Sequence, residues 1–238
     1  MSLVDQHGRV VNYVRLAVTD RCNLRCQYCM PAEGIDYVDR NQLLTYEEME
    51  RLLSILAREG VNKVRITGGE PFLRKGMISF MERIKAIDGI DKLHITTNGT
   101  LTKNIIPDMD RIGMAGVNLS LDTLDRDKFF EITRRDNFED VLETLDLLVA
   151  KGIDTKINMV VMKDHNIPDL HKMIKLTKDM PITVRFIEEM PFNGTGEGHS
   201  GLEWNHKKIL EHILQGYSNV EKIVDGPYST SSNYKVAG

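Results

Sequence analysis

Features that would place the chain in a secreted or membrane class are absent from its sequence. The N-terminal segment MSLVDQHGRVVNY lacks the basic stretch and apolar run that mark a secretory signal peptide. No apolar stretch approaches the roughly 18 residues that a membrane-spanning helix needs. The formal net charge of −4 gives no overall footprint for nucleic acid or an anionic membrane. We therefore expect a cytoplasmic protein with neither nucleic acid nor membrane as a partner.

Cysteine is scarce and is confined to one short segment. The chain has only three cysteines among 238 residues, and Cys22, Cys26 and Cys29 form a C-x3-C-x2-C pattern. Their odd number and tight spacing argue against a disulfide framework. The seven histidines show no paired spacing that would complete a zinc site. The pattern favours an iron–sulfur cluster with one iron left without a protein ligand, and zinc stays the alternative.

The rest of the sequence alternates short β-branched runs with helical patterns, which is typical of an α/β protein with a parallel sheet. The predicted strands are 13–19, 63–68, 92–98, 116–122, 154–162 and 183–190. The predicted helices cover about 45–58, 76–87, 102–113, 138–151 and 167–179. About six such units predict a partial, TIM-like (β/α)6 barrel.

The chain divides into two predicted parts. The barrel is expected to occupy residues 1–192. Residues 193–238 would form an incomplete C-terminal extension, which opens with the glycine-rich loop 193–201 and continues with a short helix and the start of a strand.

The predicted strands carry apolar residues on one face and polar residues on the other. Strands buried on both faces are normally apolar throughout, so we expect the polar face to line the inside of the barrel. Five inward cations are predicted, namely Arg15, Lys63, Arg65, Lys156 and Arg185. Few inward carboxylates could pair with them, the candidates being Asp122 and Glu189. The pattern favours an anionic ligand such as a nucleoside triphosphate, and internal ion pairs or a solvated edge are the alternatives.

The segment Gly68-Gly69-Glu70-Pro71 follows the second predicted strand. Glycines at the carboxyl end of a barrel strand let the backbone approach a ligand closely. Together with the cysteine pattern and Tyr28 just before its last cysteine, this segment resembles the radical S-adenosylmethionine (SAM) enzymes. The resemblance implies a [4Fe-4S] cluster on the three cysteines. It also implies SAM chelated by the fourth iron, with Gly68, Gly69 and Glu70 at its methionine end.

A narrower resemblance rests on five segments. Residues 15–30, 63–71, 95–99, 117–122 and 185–190 are similar to the GTP 3′,8-cyclase family of molybdenum cofactor biosynthesis. The implied SAM contacts are Tyr28, Gly69, Ser120 and Met190. The implied GTP contacts are Arg15, Arg65, Thr96 and Lys156, with Lys63 and Arg185 nearby.

The implied reaction converts GTP to (8S)-3′,8-cyclo-7,8-dihydroguanosine 5′-triphosphate, the first step of molybdopterin synthesis. Reductive cleavage of SAM would start it, followed by removal of the 3′ hydrogen of the ribose. The implied partners are GTP, a reducing electron donor, a second copy of the chain in a homodimer, and the next enzyme of pyranopterin synthesis. Two alternatives stay open: another radical SAM enzyme acting on a peptide or small molecule, and a non-catalytic metal-binding barrel.

The sequence departs from the cyclase family in one respect. That family carries a second three-cysteine cluster in its C-terminal part, which helps to hold the GTP base, whereas no cysteine follows Cys29 here. We expect a chain cut before the second cluster or, less simply, a divergent enzyme without it. In both cases SAM binding and cleavage are expected to survive better than complete turnover of GTP.

Overall fold

The computed structural model describes residues 3–190, 204–226 and 229–237, so the predicted loop 193–201 lies outside the described residues. Six strands form the main sheet: β1 (Tyr13–Ala17), β2 (Lys63–Thr67), β3 (Lys92–Thr97), β4 (Gly116–Ser120), β5 (Thr155–Val161) and β6 (Ile182–Glu188). The helices in the described part are α1 (Tyr46–Arg58), α2 (Met77–Lys85), α3 (Ile106–Ile112), α4 (Arg126–Thr133), α5 (Phe138–Ala150), α6 (Leu170–Asp179) and α7 (His206–Gly216). A separate antiparallel pair consists of β7 (Val220–Lys222) and β8 (Tyr234–Val236).

The six main strands are all parallel, and each pairs with the next in chain order from β1 to β6. A strand order that follows the chain is that of a β/α barrel rather than of a doubly wound sheet. Within the described residues β1 and β6 do not pair, so the sheet has two edges. The predicted α/β fold with six parallel strands is confirmed.

The two faces of the sheet differ as the alternation of side chains predicts. The apolar face packs against the helices in two clusters of buried side chains. In the first cluster Ile66 and Ile95 meet Leu53 of α1 and Phe80 of α2, and all four are fully buried. Fully burying one such side chain contributes about 1.5–3 kcal/mol. The polar residues therefore lie together on the opposite face.

The helices bear out most of the predicted pattern, with one omission. α1 begins with a capping box, in which the Thr45 hydroxyl accepts from the Glu48 N–H and the Glu48 carboxylate accepts from the Thr45 N–H. α4 was not predicted. It is eight residues long, too short for a helical period to show clearly, and it begins where the Asp125 carboxylate accepts from the N–H groups of Asp127 and Lys128.

None of the helices in the described ranges combines the length and the apolarity that crossing a bilayer requires.

A pair of histidines joins α7 to α6. The rings of His171 and His212 stack at 4.9 Å between centroids with an interplanar angle of 12°. Trp204, the one tryptophan of the chain, meets His212 edge-on at 5.7 Å. Lys163, Lys208 and Glu211 line the same surface cleft as His212. The tryptophan therefore reports on the packing of α7.

We expect acidification to loosen α7. Burial, followed by the neighbouring His171, lowers the pKa of His212 below its ordinary 6.5. The folded state therefore binds this proton less well than the unfolded state, and the stabilisation that is present above the unfolded pKa is lost as the pH falls below it. Trp204 fluorescence should change between about pH 7 and pH 5, the range in which a histidine titrates. His212→Gln should remove most of this change and the exposed control His7→Gln should not; an equal change in both variants would contradict the assignment.

Candidate functional site

The three cysteines lie on the loop that follows β1, at the carboxyl end of the parallel strands. Each is partly buried and none forms a disulfide. A turn brings Cys29 next to Cys26, because the Cys29 N–H donates to the Cys26 carbonyl at 2.9 Å. The carboxyl edge of the strands is where β/α barrels hold their active sites. The predicted cluster residues therefore lie at the edge expected of such a site.

The glycine pair after β2 packs directly against this loop. The Gly69 N–H donates to the Thr19 carbonyl and the Glu70 N–H to the Arg21 carbonyl, each at 2.7 Å. A Cβ on Gly68 would lie 2.4 Å from the Thr19 carbonyl oxygen, and one on Gly69 would lie 2.2 Å from that of Arg21. Close approach of a ligand was the role predicted for these glycines. The structure shows a second demand, because their missing side chains let the cysteine loop lie flat on β2.

Glu70 turns its carboxylate into the protein. It accepts from the Asn98 N–H at 2.8 Å, the Phe72 N–H at 3.2 Å and the Thr97 hydroxyl at 2.9 Å. The side chain is fully buried. Burial raises its pKa to about 7, although the two backbone donors pull the pKa down. Its carboxylate thus ties the end of β2 to the end of β3, and the predicted contact with SAM would have to come from its backbone.

Asn98 connects these two strand ends to the cysteine loop. Its amide N–H donates to the Cys22 sulfur at 3.6 Å and to the Asn23 side-chain oxygen at 2.9 Å. Its own side-chain oxygen accepts from the Thr100 hydroxyl at 2.8 Å. Asn98 ends the predicted strand 92–98 and was not among the predicted site residues. Its position at the carboxyl end of a strand was the available signal, because such positions face the active edge.

The other side of the cysteine loop rests on the end of α4. The Arg25 N–H donates to the Thr133 carbonyl and the Gln27 N–H to the Ile132 carbonyl, each at 2.9 Å. These carbonyls belong to the last turn of the helix, where they have no partner within it. The unpredicted helix therefore supplies backbone acceptors that align the middle of the motif.

The side chain of Tyr28 is held in place by a hydrogen bond to Asp122. Its hydroxyl donates to Asp122 Oδ2 at 2.9 Å, and the Val160 N–H donates to Asp122 Oδ1 at 2.8 Å. Burial raises the pKa of the Tyr28 phenol, and the charge of Asp122 raises it further. Burial also raises the pKa of Asp122, to about 6. The inward carboxylate predicted at position 122 is thus engaged with the cysteine loop rather than with the cations.

The remaining predicted SAM contacts lie at the same edge. Ser120 is the last residue of β4 and lies opposite Asn158 of β5. Met190 comes two residues after the end of β6 and is 71% exposed. The structure brings both to the edge that carries the cysteines. Their contact with SAM stays a prediction.

The three thiols suit a cationic cluster. Burial raises the pKa of Cys22, Cys26 and Cys29, and the charge of Cys22 also raises the pKa of the other two, so the three sulfurs share one neighbourhood. A metal centre reverses these shifts, because it stabilises thiolates and displaces their protons. Among the described residues no group of three His, Cys, Asp or Glu side chains is arranged to hold a single ion. A [4Fe-4S] cluster makes no such demand, because each thiolate binds a different iron.

The polar face continues from this edge to a cluster of cations nearer the amino ends of the strands. Arg15 lies opposite Arg65, and Tyr13 lies opposite Lys63. The charged groups of Lys63, Arg65 and Arg15 lie 5.1, 5.7 and 5.9 Å from the centroid of the Tyr13 ring. Tyr13 was not among the predicted site residues. One ring thus contacts three cations, at about 0.5–2 kcal/mol for each contact.

These cations are close enough to repel one another. Arg65 is only 8% exposed. Burial lowers its pKa, and the charges of Arg185 and Arg15 lower it further, while Tyr13 opposes them. Burial lowers the pKa of Lys63 in the same way, and Arg65 adds to the effect. With its amide rotated, Asn118 accepts from both Arg65 and Arg185. The cluster therefore holds an excess of positive charge that an anion would relieve.

Part of the positive charge of this cluster is paired with a carboxylate that was not predicted. Asp154, which precedes β5, forms an ion pair with Lys156. Its charge also raises the pKa of Arg65 and of Arg185, against the burial that lowers them. The predicted shortage of carboxylates is therefore overstated at one end of β5. Arg185 remains half-buried beside it.

The middle of the polar face holds buried polar atoms without a partner. Arg65 Nε, His94 Nε2 and Asn158 Oδ1 make no hydrogen bond with any described residue. Thr96, a predicted GTP contact, lies between these groups on β3, opposite Asn118. Burying a polar atom unpaired costs about 1–3 kcal/mol. A polar ligand on this face would recover part of that cost.

Comparison with known families decides the class of the chain. A model of the radical SAM superfamily matches residues 16–177. The chain belongs to this superfamily. Radical SAM proteins carry a [4Fe-4S] cluster and use SAM, so the chain's cofactors are those that the resemblance to this superfamily implied.

Individual relatives narrow the likeness. The chain is 41% identical over 240 residues to the GTP 3′,8-cyclase of Geobacter sulfurreducens, covering 100% of this chain and 73% of that protein. It is 41% identical to molybdenum cofactor biosynthesis protein 1 of Drosophila melanogaster, covering 99% of this chain and 42% of that protein. It is 37% identical to the mitochondrial GTP 3′,8-cyclase of Arabidopsis thaliana, covering 99% of this chain and 60% of that protein. This radical SAM chain therefore spans about half the length of the last two relatives.

Solved structures of other proteins share the fold. Streptococcus suis SuiB bound to S-adenosylmethionine superposes with a TM-score of 0.65 at 20% identity, covering 86% of this chain and 47% of that one. Methylornithine synthase (PylB) superposes with a TM-score of 0.62 at 18% identity, covering 85% of this chain and 61% of that one. At these identities the likeness establishes the fold and nothing about the substrate.

Proposed function

We propose that this chain carries the catalytic barrel of a GTP 3′,8-cyclase, which converts GTP to (8S)-3′,8-cyclo-7,8-dihydroguanosine 5′-triphosphate. The single observation that carries the proposal is one polar sheet face with three cysteines beyond its carboxyl end and a cluster of cations nearer its amino ends. A radical SAM site needs the first feature, and a nucleoside triphosphate needs the second. Relatives named GTP 3′,8-cyclase at 41% and 37% identity support the same substrate.

The residues at the carboxyl edge would bind and orient the cofactors. Cys22, Cys26 and Cys29 would hold three irons. The SAM cradle would consist of Tyr28, Gly68, Gly69, Ser120 and Met190, with Glu70 holding the strand ends in place. When bound, the cluster and SAM supply the radical that removes a hydrogen atom from the substrate. The hydrogen bonds from the Tyr28 hydroxyl to Asp122 and from the Asn98 N–H to Glu70 would keep the cysteine loop and the strand ends fixed during that step.

The cations would hold the triphosphate. The proposed set is Arg15, Lys63, Arg65, Lys156 and Arg185, with Thr96 between them and the cluster. Guanidinium forks match phosphate oxygens in pairs, and a buried cation cluster gains most from an anion because little water screens it. Holding the phosphates toward the amino ends would turn the ribose toward the cofactor edge. Such positioning can lower a barrier by about 7–11 kcal/mol at best.

The proposal includes partners and a compartment. The chain would take electrons from a reducing donor, work as a homodimer in the cytoplasm, and pass its product to the next enzyme of pyranopterin synthesis. Its reduced thiols agree with a reducing compartment.

Anaerobic reconstitution with iron and sulfide followed by two assays tests the proposal. In the first assay the reduced chain is incubated with SAM, and 5′-deoxyadenosine is measured with and without GTP. In the second assay GTP deuterated at the ribose 3′ carbon is supplied, and transfer of deuterium to 5′-deoxyadenosine is measured by mass spectrometry. Transfer from the 3′ position is the expected result, with ATP as the matched control nucleotide.

The outcomes separate the alternatives. SAM cleavage without deuterium transfer, together with a thermal unfolding temperature that GTP does not raise, would identify a radical SAM enzyme with another substrate, such as a peptide. Uptake of zinc in place of iron and sulfide would identify a non-catalytic metal-binding barrel. Either result would refute the cyclase assignment.

A further inference from the structure

Arg134 has an unusual backbone conformation for its residue type. It ends α4 with φ 57° and ψ 25°, in the left-handed region. No other non-glycine residue in the described ranges has a positive φ. Residues other than glycine adopt this conformation at a cost of about 1–2 kcal/mol, which the surrounding contacts must offset. The conformation therefore calls for a contact that depends on it.

That contact is with the cysteine loop. The Arg134 guanidinium donates to the Arg25 carbonyl at 2.7 Å and to the Met30 carbonyl at 3.1 Å. These two residues enclose the turn that carries Cys26 and Cys29. One side chain from the far end of α4 thus bridges both ends of the turn.

We propose that Arg134 is a positioning residue that fixes the sulfurs of Cys26 and Cys29 for the iron–sulfur cluster. The proposal rests on the [4Fe-4S] site of the proposed function. Both hydrogen bonds come from one terminal nitrogen, Nη1, whose two N–H groups are fixed in the plane of the guanidinium, whereas the N–H groups of a lysine ammonium rotate freely. Groups that orient the ligands of a metal are known to tune its affinity and its reduction potential.

A second arginine supports this role by doing the same for the first half of the motif. The Arg25 guanidinium donates to the carbonyls of Cys22 and Leu24 at 2.7 and 2.8 Å. Four carbonyl groups of the cysteine loop thus accept hydrogen bonds from an arginine guanidinium. Arg134 differs from Arg25 because it lies outside the motif, more than a hundred residues along the chain.

Variants can separate the side chain from the backbone. Arg134→Gly removes the guanidinium and keeps the left-handed conformation, which glycine adopts freely. Arg134→Lys keeps the charge and loses the planar guanidinium with its fixed N–H directions. Arg126→Ala is the matched control, because Arg126 lies on the same helix in an exposed ion pair with Asp136. The full chain is reconstituted anaerobically, and thermal unfolding, iron and sulfide content, iron loss to a chelator and the EPR spectrum of the reduced cluster are measured.

We expect Arg134→Gly to unfold cooperatively, as the control does, and to lose iron about 10-fold faster than the unsubstituted chain. Its EPR spectrum should be shifted or broadened, with Arg134→Lys intermediate. Iron loss and an EPR spectrum equal to those of the unsubstituted chain would overturn the proposal. If Arg134→Gly fails to fold, the same two readouts on Arg134→Lys decide. Failure of the unsubstituted chain to take up a cluster would refute the proposed function instead.

Discussion

Gly69→Ala should abolish stable cluster binding. A methyl group at this position would lie 2.2 Å from the Arg21 carbonyl oxygen and 2.5 Å from its carbon. Both atoms are backbone, so the clash cannot be relieved by rotating a side chain. The cysteine loop would have to move away from β2, breaking the 2.7 Å hydrogen bonds from Gly69 to Thr19 and from Glu70 to Arg21. Overpacking of this kind costs about 1–3 kcal/mol of stability.

The larger effect of Gly69→Ala is on function. Displacing a catalytic group by about 1 Å can lower a rate by about 100-fold. We therefore expect little iron and sulfide after reconstitution, and SAM cleavage reduced by about that factor. Iron content, absorption of the cluster and the rate of 5′-deoxyadenosine formation measure the two effects.

Gly226→Ala is the matched control for this variant. Gly226 has no positive φ, and a Cβ built on it meets no described residue within 4 Å. The same substitution should therefore leave cluster content and SAM cleavage unchanged there. Normal cluster content in Gly69→Ala would show that the glycine pair does not determine how the cysteine loop lies on β2.

Local patterns in the sequence were sufficient to predict the fold, and they also carry the proposal for one half of the candidate site. The strand bounds agree with the predicted runs to within a few residues because β-branched runs and strand parity are short-range signals. The cysteine motif and the glycine pair are also local. Each carries its chemistry within a few residues, so no knowledge of the packing was needed to find them.

The contacts that complete the site join residues far apart in sequence. The hydrogen bond from Asn98 to Cys22 spans 76 residues, and that from Tyr28 to Asp122 spans 94. Strand parity predicted a polar face, but it could not show that the Glu70 carboxylate turns inward and accepts from the Asn98 N–H. Asp154 was missed although it opens the predicted strand 154–162 and shares the parity of Lys156; in the structure it lies just before β5. Such contacts depend on how the strands and the loops after them pack together, which the periodicity of the sequence does not encode.

The cation cluster destabilises the unliganded chain and is expected to stabilise the chain that has bound its anionic ligand. Arg65 is nearly buried among like charges, so it is costly in the unliganded protein. Replacing a buried ion pair by apolar side chains of similar volume is often neutral or stabilising, by about 1–4 kcal/mol, and removing Arg65 also relieves its repulsion from Arg15 and Arg185. Arg65→Met should therefore leave the unliganded chain at least as stable as before. Thermal unfolding without nucleotide measures this half of the prediction.

The same substitution should weaken GTP binding. A hydrogen bond to a charged group contributes about 1.5–3 kcal/mol, which corresponds to a Kd raised by about 10- to 100-fold. Arg126→Met, in an exposed ion pair with Asp136, is the matched control and should leave the Kd unchanged. Calorimetric titration with GTP, repeated with inorganic triphosphate, would show whether the phosphates are what the cluster binds.

The pairing of unchanged stability with lost affinity is what distinguishes a binding residue from a structural one. Arg65→Met with the affinity of the unsubstituted chain would place the triphosphate away from this cluster, whereas loss of stability and affinity together would return Arg65 to a structural role.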